Sequence, residues 1–410
     1  MAENIDVDLC IIGAGSGGLS VAAGAVQMGA RVALIEKHKM GGDCLNYGCV
    51  PSKALLAAGH AAQAQRDGAR FGLAAREPEI DYGRVHDHVH GVIAAIAPID
   101  SVERFTGLGV KVILGTAHFA GAREVVAETQ SGPTRIRAKW IVIATGSRAA
   151  VPPIPGFESV PYFTNETIFA RKTKPEHLVV VGGGPIGLEM AQAHRRLGAK
   201  VTVLEMGAIL PKDDPELVEV VRRRVLEEGV VLNEQTKVLR VDKRGAGVAV
   251  EIERGGERET VEGSDILVAA GRLANGDGLD LEKAGIASTK RGITVDAHLR
   301  TTNKRVFAIG DAAGGYQFTH VAGYHAGIVI RQALFRLFWT KSDMGAVPWV
   351  TFTDPELAHV GLSEAEARKK HGDVRVLRWP FHDNDRAQAE RATQGFIKAI
   401  VTRRGRVLGA

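Results

Sequence analysis

One strand–turn–helix–strand pattern occurs twice in this chain, and the repeat is the strongest constraint on its fold. Residues 9–36 read LCIIGAGSGGLSVAAGAVQMGARVALIE, and residues 178–205 read LVVVGGGPIGLEMAQAHRRLGAKVTVLE. Each copy starts with a short β-branched run, typical of a buried parallel strand, and continues through a glycine-rich turn into a helix and a second strand. The repeat predicts an α/β chain with two Rossmann-like domains.

Both turns have the spacing G-x-G-x-x-G. The motif glycines are Gly13, Gly15, Gly18, Gly182, Gly184 and Gly187. The first glycine of each motif makes a tight turn, the second lets the backbone approach a pyrophosphate, and the third lets the helix pack on the strand. Glu36 and Glu205 end the second strands, where an acid accepts hydrogen bonds from a ribose. We therefore predict two dinucleotide sites.

The residues around Glu205 also predict the nucleotide. An acid at this position repels a ribose 2′-phosphate, and Met206-Gly207-Ala208 follow it without an arginine. The sequence thus favours NAD(H) over NADP(H) at the second site.

Two of the three cysteines lie in the segment GGDCLNYGCVPSK, directly after the first repeat. In a regular helix, the Cα atoms of Cys44 and Cys49 would be about 8–9 Å apart, whereas a disulfide needs about 4.4–6.8 Å. A bridge therefore requires a distorted turn, which Asn46 and Gly48 permit. A redox-active pair is favoured over two buried free thiols, and no nearby His pair completes a metal site. Cys10 lies in an apolar strand and is predicted to be a core residue.

The segment GGDCLNYGCVPSKALL resembles the active-site signature of the flavoprotein disulfide reductases, and the similarity extends over essentially the whole chain. The resemblance implies two Rossmann-like FAD- and NAD(P)-binding domains plus a truncated α+β dimerisation domain. It implies FAD at the first site and a nicotinamide nucleotide at the second, with electrons passing through the flavin to a Cys44–Cys49 disulfide. Asp43 stands where the family usually has threonine.

The resemblance also assigns roles to individual residues. Cys49 would be the thiol nearest the flavin, and Cys44 would exchange with substrate. Lys53 would pair with Glu189. Residues implied to contact FAD or the edges of the cofactor sites, besides the motif glycines and the two acids, are Gly42, Thr145, Gly146, Gly271, Arg272, Gly310 and Asp311. Asp311 would bind the ribityl chain.

The family's catalytic base is a C-terminal His-x-x-x-x-Glu pair, and the sequence printed here stops before such a motif, at Ala410. His359 matches the spacing formally, but Ser363 and Glu366 predict a capping box in the same segment. His320 and His325 are predicted to pack or cap near the flavin.

The predicted activity is therefore that of a pyridine nucleotide-disulfide oxidoreductase, with dihydrolipoamide dehydrogenase as the leading member because Glu205 favours NAD(H). A mercuric reductase or another disulfide reductase is the first alternative. The second is a truncated flavin- and NAD-binding protein with only diaphorase activity. The expected partner is a small-molecule or protein-bound disulfide or dithiol, and a homodimer is expected if the C-terminus is complete.

Changes in sequence texture predict the domain boundaries. We expect an FAD-binding domain at 1–150, an NAD-binding domain at 151–271, a central part returning to the FAD domain at 272–345, and an interface domain at 346–410. Residues 230–262 alternate β-rich segments with charged turns and predict a small antiparallel sheet.

The charge pattern argues against a nucleic-acid partner. The chain has 52 Lys and Arg against 47 Asp and Glu, and the two signs are interspersed. The densest cluster, Arg222-Arg223-Arg224, is predicted to be a solvated helix face. With an acidic N-terminus and no run of 18 apolar residues, we expect a cytoplasmic protein without a membrane segment.

Overall fold

The structure is a computed structural model that describes residues 3–410. It contains two compact units, each assembled from separate stretches of chain. Unit 1 comprises residues 3–51, His90–Arg148 and Arg272–Asp343. Unit 2 comprises Ser52–Val89, Ala149–Gly271 and Met344–Ala410.

Unit 1 is built on a seven-stranded sheet whose central strands are parallel. Glu3–Ile12 pairs in parallel with Val32–Glu36 on one side and with Gly132–Ile143 on the other. The strands of this sheet are Glu3–Ile12, Val32–Glu36, Lys111–Leu114, Thr116–Gly121, Glu124–Thr129, Gly132–Ile143 and Val306–Ala308. Cys10 is fully buried in the first strand, as predicted for a core residue.

Unit 2 contains the second repeat in a four-stranded parallel sheet. In spatial order its strands are Val231–Asn233, Lys200–Leu204, His177–Val181 and Asp265–Val268. Leu178, Val179 and Val180 are fully buried, which explains the continuous apolar run of this strand. The mixed α/β class predicted from the repeat is therefore confirmed.

The remaining strands form small sheets or short extensions. In unit 2 the antiparallel strands are Thr236–Arg244, Gly247–Arg254 and Glu257–Gly263, then Trp349–Thr351 with Leu357–His359, and then Val374–Pro380, Phe396–Thr402 and Val407–Gly409. The other short strands are Ser147–Ala149, Arg272–Ala274, Ser288–Thr289 and Gly292–Ile293.

The α-helices connect these strands. They are Ser16–Gln27, Gly42–Asn46, Cys49–Arg66, Tyr82–Ile96, Val102–Gly107, Pro185–Arg196, Pro215–Glu227, Thr319–Ala333, Glu364–His371 and Asp385–Ala389. Within residues 3–410, none of these helices is long and apolar enough to cross a membrane.

The prediction for residues 230–262 is wrong at its N-terminal end. Val231–Asn233 pairs in parallel with Lys200–Leu204, and the antiparallel sheet begins only at Thr236. The helix Pro215–Glu227 precedes this strand, and a strand that follows a crossover helix returns parallel to its neighbour.

The prediction of a solvated face for Arg222-Arg223-Arg224 is also wrong in part. Arg223 is exposed, but Arg222 donates to Glu234 and Arg224 pairs with the buried carboxylate of Glu228 at 2.7 Å. Arg222 and Arg224 are two positions apart, so they point to different sides of the helix, and each meets a carboxylate of the same unit there while Arg223 faces solvent.

Candidate active site

The first glycine turn, in unit 1, admits only glycine at two of its three motif positions. Gly13 has φ of +104°, and a Cβ there would lie 2.4 Å from the carbonyl oxygen of Ala144. A Cβ on Gly18 would lie 1.9 Å from the carbonyl oxygen of Gly13. These contacts let the helix Ser16–Gln27 start directly against the strand.

Gly15, the middle glycine, faces the cysteine segment, and a Cβ at this position would clash with no described atom. The nearest atom to a Cβ at this position would be the Cα of Gly42, at 3.8 Å. A Cβ on Gly42 would lie only 2.6 Å from the Cα of Gly15, and the backbone N–H of Gly41 donates to the carbonyl of Ala14 at 2.9 Å. The backbone that carries the cysteines therefore lies directly against the dinucleotide turn.

The turn between the two cysteines interrupts the helix. Gly42–Asn46 forms a short helix that ends at Tyr47, and a new helix begins at Cys49. The Asn46 amide donates to the carbonyls of Met40 and Gly42, at 3.0 and 2.9 Å, which holds the short helix in place.

The two cysteines are not bridged in this structure. The neighbouring Cys49 side chain and burial raise the pKa of the Cys44 thiol, because ionising Cys44 beside Cys49 is disfavoured. Cys49 is exposed, and its Sγ lies 3.3 Å from Thr319 Oγ1. The arrangement brings the two sulfur atoms together at the start of a helix.

Thr319 was missed by the sequence analysis. It is the first residue of the helix Thr319–Ala333 and contacts the cysteines across 270 positions of sequence. Its hydrogen bond to Cys44 lowers the pKa of that thiol, against the two larger causes that raise it. The only local signal was a threonine at a helix start shortly after Asp311, which is too common to indicate a site.

A polar cluster lies beside the cysteine segment in unit 1. Ser147 Oγ donates to Asp311 Oδ2 at 2.6 Å, and Arg272 Nε donates to Ser147 Oγ at 2.7 Å. Arg272 also lies 3.3 Å from Asp43 Oδ2. Burial raises the pKa of Asp311, and the charge of Asp43 adds to this effect. The structure thus brings the predicted residues Arg272 and Asp311 together.

Other predicted residues lie in turns at the ends of strands. Thr145 Oγ1 donates to the carbonyl of Asn275 at 2.5 Å, which links two strand ends of unit 1. Gly146, Gly271 and Gly310 all have positive φ, so each turn uses a conformation that favours glycine.

The acids that end the second strands have equivalent positions in the two units. Glu36 accepts hydrogen bonds from the backbone N–H of Ala14 and of His38, both at 2.7 Å. Glu205 accepts from Gly183 and Gly207, at 2.6 and 2.8 Å. Because a carboxylate can accept about four hydrogen bonds, each acid keeps acceptor capacity for a ribose.

The second glycine turn, in unit 2, repeats the geometry of the first. Gly182 has φ of +114°, and a Cβ on Gly187 would lie 2.0 Å from the carbonyl oxygen of Gly182. A Cβ on Gly184 would meet nothing within 4 Å in the described structure. The space above this glycine is open to a ligand.

Lys53 and Glu189, both in unit 2, form an ion pair. Lys53 Nζ lies 2.8 Å from Glu189 Oε2 and 4.1 Å from the centre of the Phe352 ring. The backbone N–H of Phe352 donates to the other oxygen of Glu189 at 3.0 Å. Phe352, which the sequence analysis did not single out, therefore contacts both partners.

The histidines considered as bases have structural contacts. His359 is buried, stacks on Trp349 and donates through Nε2 to the carbonyl of Gly361, while Ser363 and Glu366 form the predicted capping box. His320 stacks on the Phe318 ring. His325 accepts from the backbone N–H of Gly310, and burial lowers its pKa to about 4.

The residues of unit 1 fit an FAD. Among the described residues, no side chain caps the N-terminus of Ser16–Gln27, so its first N–H groups are available to phosphate oxygens. Gly15 presents no side chain to them, and Glu36 lies at the adjoining strand end. Pro185–Arg196 in unit 2 has the same uncapped start. In residues 3–410, no group of three or more His, Cys, Asp or Glu side chains could hold a metal ion.

Comparison with known proteins shows the family of the chain. Residues 7–326 match the family model described as pyridine nucleotide-disulphide oxidoreductase, and residues 347–410 match the dimerisation domain of the same family. The chain therefore belongs to the pyridine nucleotide-disulfide oxidoreductases, which are flavoprotein enzymes that act on sulfur groups and use a pyridine nucleotide. The class predicted from GGDCLNYGCVPSKALL is confirmed.

Two curated relatives are equally similar to the chain. Mercuric reductase from Staphylococcus aureus is 35% identical over 398 residues, which cover 97% of this chain and 72% of that protein. Dihydrolipoyl dehydrogenase from Geobacillus stearothermophilus is 35% identical over 415 residues, which cover 99% and 86%. Sequence identity therefore establishes the family but does not distinguish between these two activities.

Solved structures show the same fold. LpdA from Mycobacterium tuberculosis has a TM-score of 0.89 at 27% identity, covering 98% of this chain and 89% of that chain. The Cu(II) complex of the HOCl-induced flavoprotein disulfide reductase RclA from Escherichia coli has a TM-score of 0.87 at 30% identity, covering 99% and 88%.

Proposed function

We propose that this chain is an FAD-dependent oxidoreductase that passes electrons between NAD(H) and the Cys44–Cys49 pair, with dihydrolipoamide as its dithiol substrate. The observation that carries the proposal is the contact between Gly42 and Gly15, since it holds the cysteine segment against a turn with the geometry of a dinucleotide site. FAD, when bound, would supply the two-electron chemistry that links a nicotinamide to a disulfide.

The residues proposed to hold FAD are those of unit 1. Gly13, Gly15 and Gly18 shape the turn toward the pyrophosphate, and Glu36 accepts from the ribose. Asp311 is proposed to accept from the ribityl chain. Further contacts are proposed for Gly42, Thr145, Gly146, Gly310 and Arg272.

In unit 2, the proposed nucleotide site comprises the second glycine turn, Glu205 and Gly271. Lys53 and Glu189 are proposed to act as a charged pair, with Glu189 and the Phe352 ring holding the ammonium group in one position. Because Glu189 accepts from two donors, its orientation does not depend on Lys53 alone.

The cysteines carry the exchange with substrate. In the direction of disulfide reduction, Cys44 gives up its proton and its sulfur attacks one sulfur of the substrate disulfide, and the other sulfur leaves as a thiolate that takes up a proton. Cys49 then attacks the Cys44 sulfur of the mixed disulfide, which closes the Cys44–Cys49 bridge and releases the second substrate thiolate. Dihydrolipoamide oxidation is the reverse sequence. The hydrogen bond between Thr319 Oγ1 and Cys49 Sγ positions Cys49 in both directions of the reaction.

Mercuric reduction is the second candidate, because a mercuric reductase is as similar to the chain as a dihydrolipoyl dehydrogenase. Thiolates bind soft metals strongly, so the same pair offers two sulfur ligands to Hg(II) as a substrate. The two candidates differ in the compound that reacts with the cysteine pair, and the pair itself is the same in both.

The proposal is tested by parallel assays of the holoenzyme. We expect NAD⁺ reduction by dihydrolipoamide to exceed Hg(II)-dependent NADPH oxidation, and Cys44→Ser and Cys49→Ser each to lose at least about a thousandfold in kcat. Cys10→Ala is the matched control, since Cys10 is a buried core thiol, and it keeps wild-type turnover. Hg(II) turnover without lipoamide turnover supports the second candidate, and unchanged activity in both serine variants contradicts the proposal.

The preference for NAD(H) is proposed from Glu205 and from the lack of an arginine directly after it. Met206 is 76% exposed, so Met206→Arg adds a cation beside the acid without disturbing the core. We expect this variant to raise kcat/KM for NADPH about tenfold or more, because an arginine accommodates the 2′-phosphate.

The control for this substitution is Met206→Gln, which changes the side chain without adding charge and should leave the nucleotide preference unchanged. Wild-type enzyme that already uses NADPH better than NADH would contradict the assignment.

A further inference from the structure

Asp43 places a carboxylate beside both cysteines of the pair. It precedes Cys44 in the first turn of the helix Gly42–Asn46. Its side chain lies over Gly48, because a Cβ at Gly48 would be 2.9 Å from Asp43 Oδ2 and 3.3 Å from the Cα of Cys44. Gly48 in turn precedes Cys49, so the carboxylate lies within one residue of either sulfur-bearing position.

Arg272 holds this carboxylate in place. The side chain of Arg272 is 11% exposed, and its guanidinium lies 3.3 Å from Asp43 Oδ2. The same guanidinium donates to the hydroxyl and the carbonyl of Ser147, at 2.7 and 3.0 Å, which fixes its orientation. Asp43 is therefore bound to a cation that is itself tied to the backbone of the sheet.

The local charges do not cancel. Arg272 also lies 3.9 Å from Asp311, so one guanidinium faces two carboxylates. The other charged groups at the short helix are Lys39, whose ammonium lies 5.1 Å from the centre of the Tyr47 ring, and Asp100, whose Oδ2 would be 3.1 Å from a Cβ at Gly41. A neutral residue at position 43 would make the electrostatic potential at the two thiols more positive.

We propose that Asp43 is a positioning residue that sets the thiol–disulfide equilibrium of Cys44 and Cys49, its carboxylate favouring the disulfide over the reduced pair. The inference rests on the proposed function, in which this pair is the redox centre. Reduction breaks the S–S bond with two electrons and leaves two sulfur atoms that take up two protons, or one proton when one sulfur remains a thiolate. A fixed negative charge next to the pair disfavours the thiolate form, and so it disfavours reduction.

The test measures thiol chemistry directly. Wild type, Asp43→Asn and Asp43→Glu are equilibrated at pH 8 with mixtures of reduced and oxidised dithiothreitol, alkylated rapidly, and analysed by mass spectrometry. We expect Asp43→Asn to shift the equilibrium about 3–10-fold toward the reduced pair, because it removes a charge at close range while keeping the side chain's shape. Asp43→Glu keeps the charge and should remain within twofold of wild type.

A second readout is the pH dependence of alkylation of the reduced pair by iodoacetamide, with and without FAD. Asp43→Asn should move the midpoint of this profile to lower pH, whereas Glu103→Gln, which removes an exposed acid elsewhere in unit 1, should not. If Asp43→Asn folds poorly, Asp43→Thr carries the same expectation. An equilibrium and an alkylation profile unchanged in the neutral variants would overturn the proposal.

Failure of this inference and failure of the proposed function give different results. If Cys44→Ser retains full turnover, the proposed function fails, yet the equilibrium of the Asp43 variants still decides whether the carboxylate acts on the pair.

Discussion

Gly184 and Gly187 lie in one turn, but glycine occupies the two positions for different physical reasons. At Gly187 a Cβ would collide with the backbone of Gly182, whereas at Gly184 it would enter open space. Gly184 also has φ of −76°, a conformation that alanine adopts without strain. Folding therefore requires glycine at one position, whereas among the described residues nothing but space for a ligand favours glycine at the other.

We predict that Gly184→Ala weakens NADH binding about tenfold or more while the melting temperature stays within a few degrees of wild type, because the methyl group occupies the path of the pyrophosphate. Isothermal titration calorimetry and thermal unfolding measure the two quantities. Gly187→Ala is the companion variant, and it should lose stability as well as binding. Unchanged NADH affinity in Gly184→Ala would contradict the assignment of this site.

The residues of the site differ in how far the sequence could reveal them. Glycines and cysteines at fixed spacing were recognisable because the chemistry of a turn or a disulfide depends on neighbours along the chain. Thr319 and Phe352 were missed, because their contacts with Cys49 and Lys53 arise only from folding. Asp43 was noticed only as a departure from a pattern, and its pairing with Arg272 required the structure.

Among the elements of unit 1, the helix Thr319–Ala333 is hydrogen-bonded to the turn at Gly310 through His325. The imidazole accepts from the Gly310 N–H at 3.2 Å and contacts Ser342 through its other nitrogen. Its pKa of about 4 lies below the unfolded value, so between about pH 6.5 and 4 only the unfolded chain gains the proton. The stability that the neutral, buried imidazole contributes to the folded state is therefore fully present above about pH 6.5 and is lost as the pH falls toward 4.

We predict that wild type loses stability on going from pH 7 to pH 5, and that His325→Asn shows a loss smaller by about 1–2 kcal/mol. Asparagine keeps an acceptor for Gly310 but does not titrate. Urea unfolding at both pH values measures the difference, and His382→Asn, at an exposed position, should keep the wild-type slope. Identical slopes in wild type and His325→Asn would show that this histidine is not the cause.

The sequence predicted the long elements well and the short ones poorly. The strands of the two repeats are buried on both faces and therefore read as continuous apolar runs. Val231–Asn233 is a three-residue edge strand, and its parallel direction depends on the crossover before it. The arginine cluster was misassigned because its pairing depends on the direction of each side chain: Arg222 pairs with Glu234 beyond the helix, and Arg224 pairs with Glu228 one helical turn further along.

For the molecule as a whole, an important feature is that each unit is assembled from separate parts of the chain. In unit 2, Lys398 joins two of them: it is 4% exposed and lies 2.7 Å from Asp214 and 2.8 Å from Glu216, both in the stretch Ala149–Gly271, and 2.8 Å from Glu364 in its own stretch. Burial lowers the pKa of Lys398, whereas the three carboxylates raise it, and the net effect is a raised pKa. The ammonium therefore links the dimerisation segment to the nucleotide-binding segment.

We predict that Lys398→Met destabilises the protein by about 2–4 kcal/mol, because it leaves three carboxylates close together without their shared cation. Chemical denaturation measures the change. Arg378→Met removes a cation from the same cluster at a 46% exposed position, and it should cost less than about 1 kcal/mol. Equal effects of the two substitutions would contradict the role assigned to burial.

The contact between Gly15 and Gly42 has a consequence for the tolerance of this chain to mutation. Position 42 carries no functional group, yet any side chain there would push the cysteine segment away from the dinucleotide turn. In a saturation library selected for activity, position 42 should therefore be as intolerant as the cysteines themselves. A second substitution at position 15 would not rescue it, because that glycine is already the smallest possible neighbour.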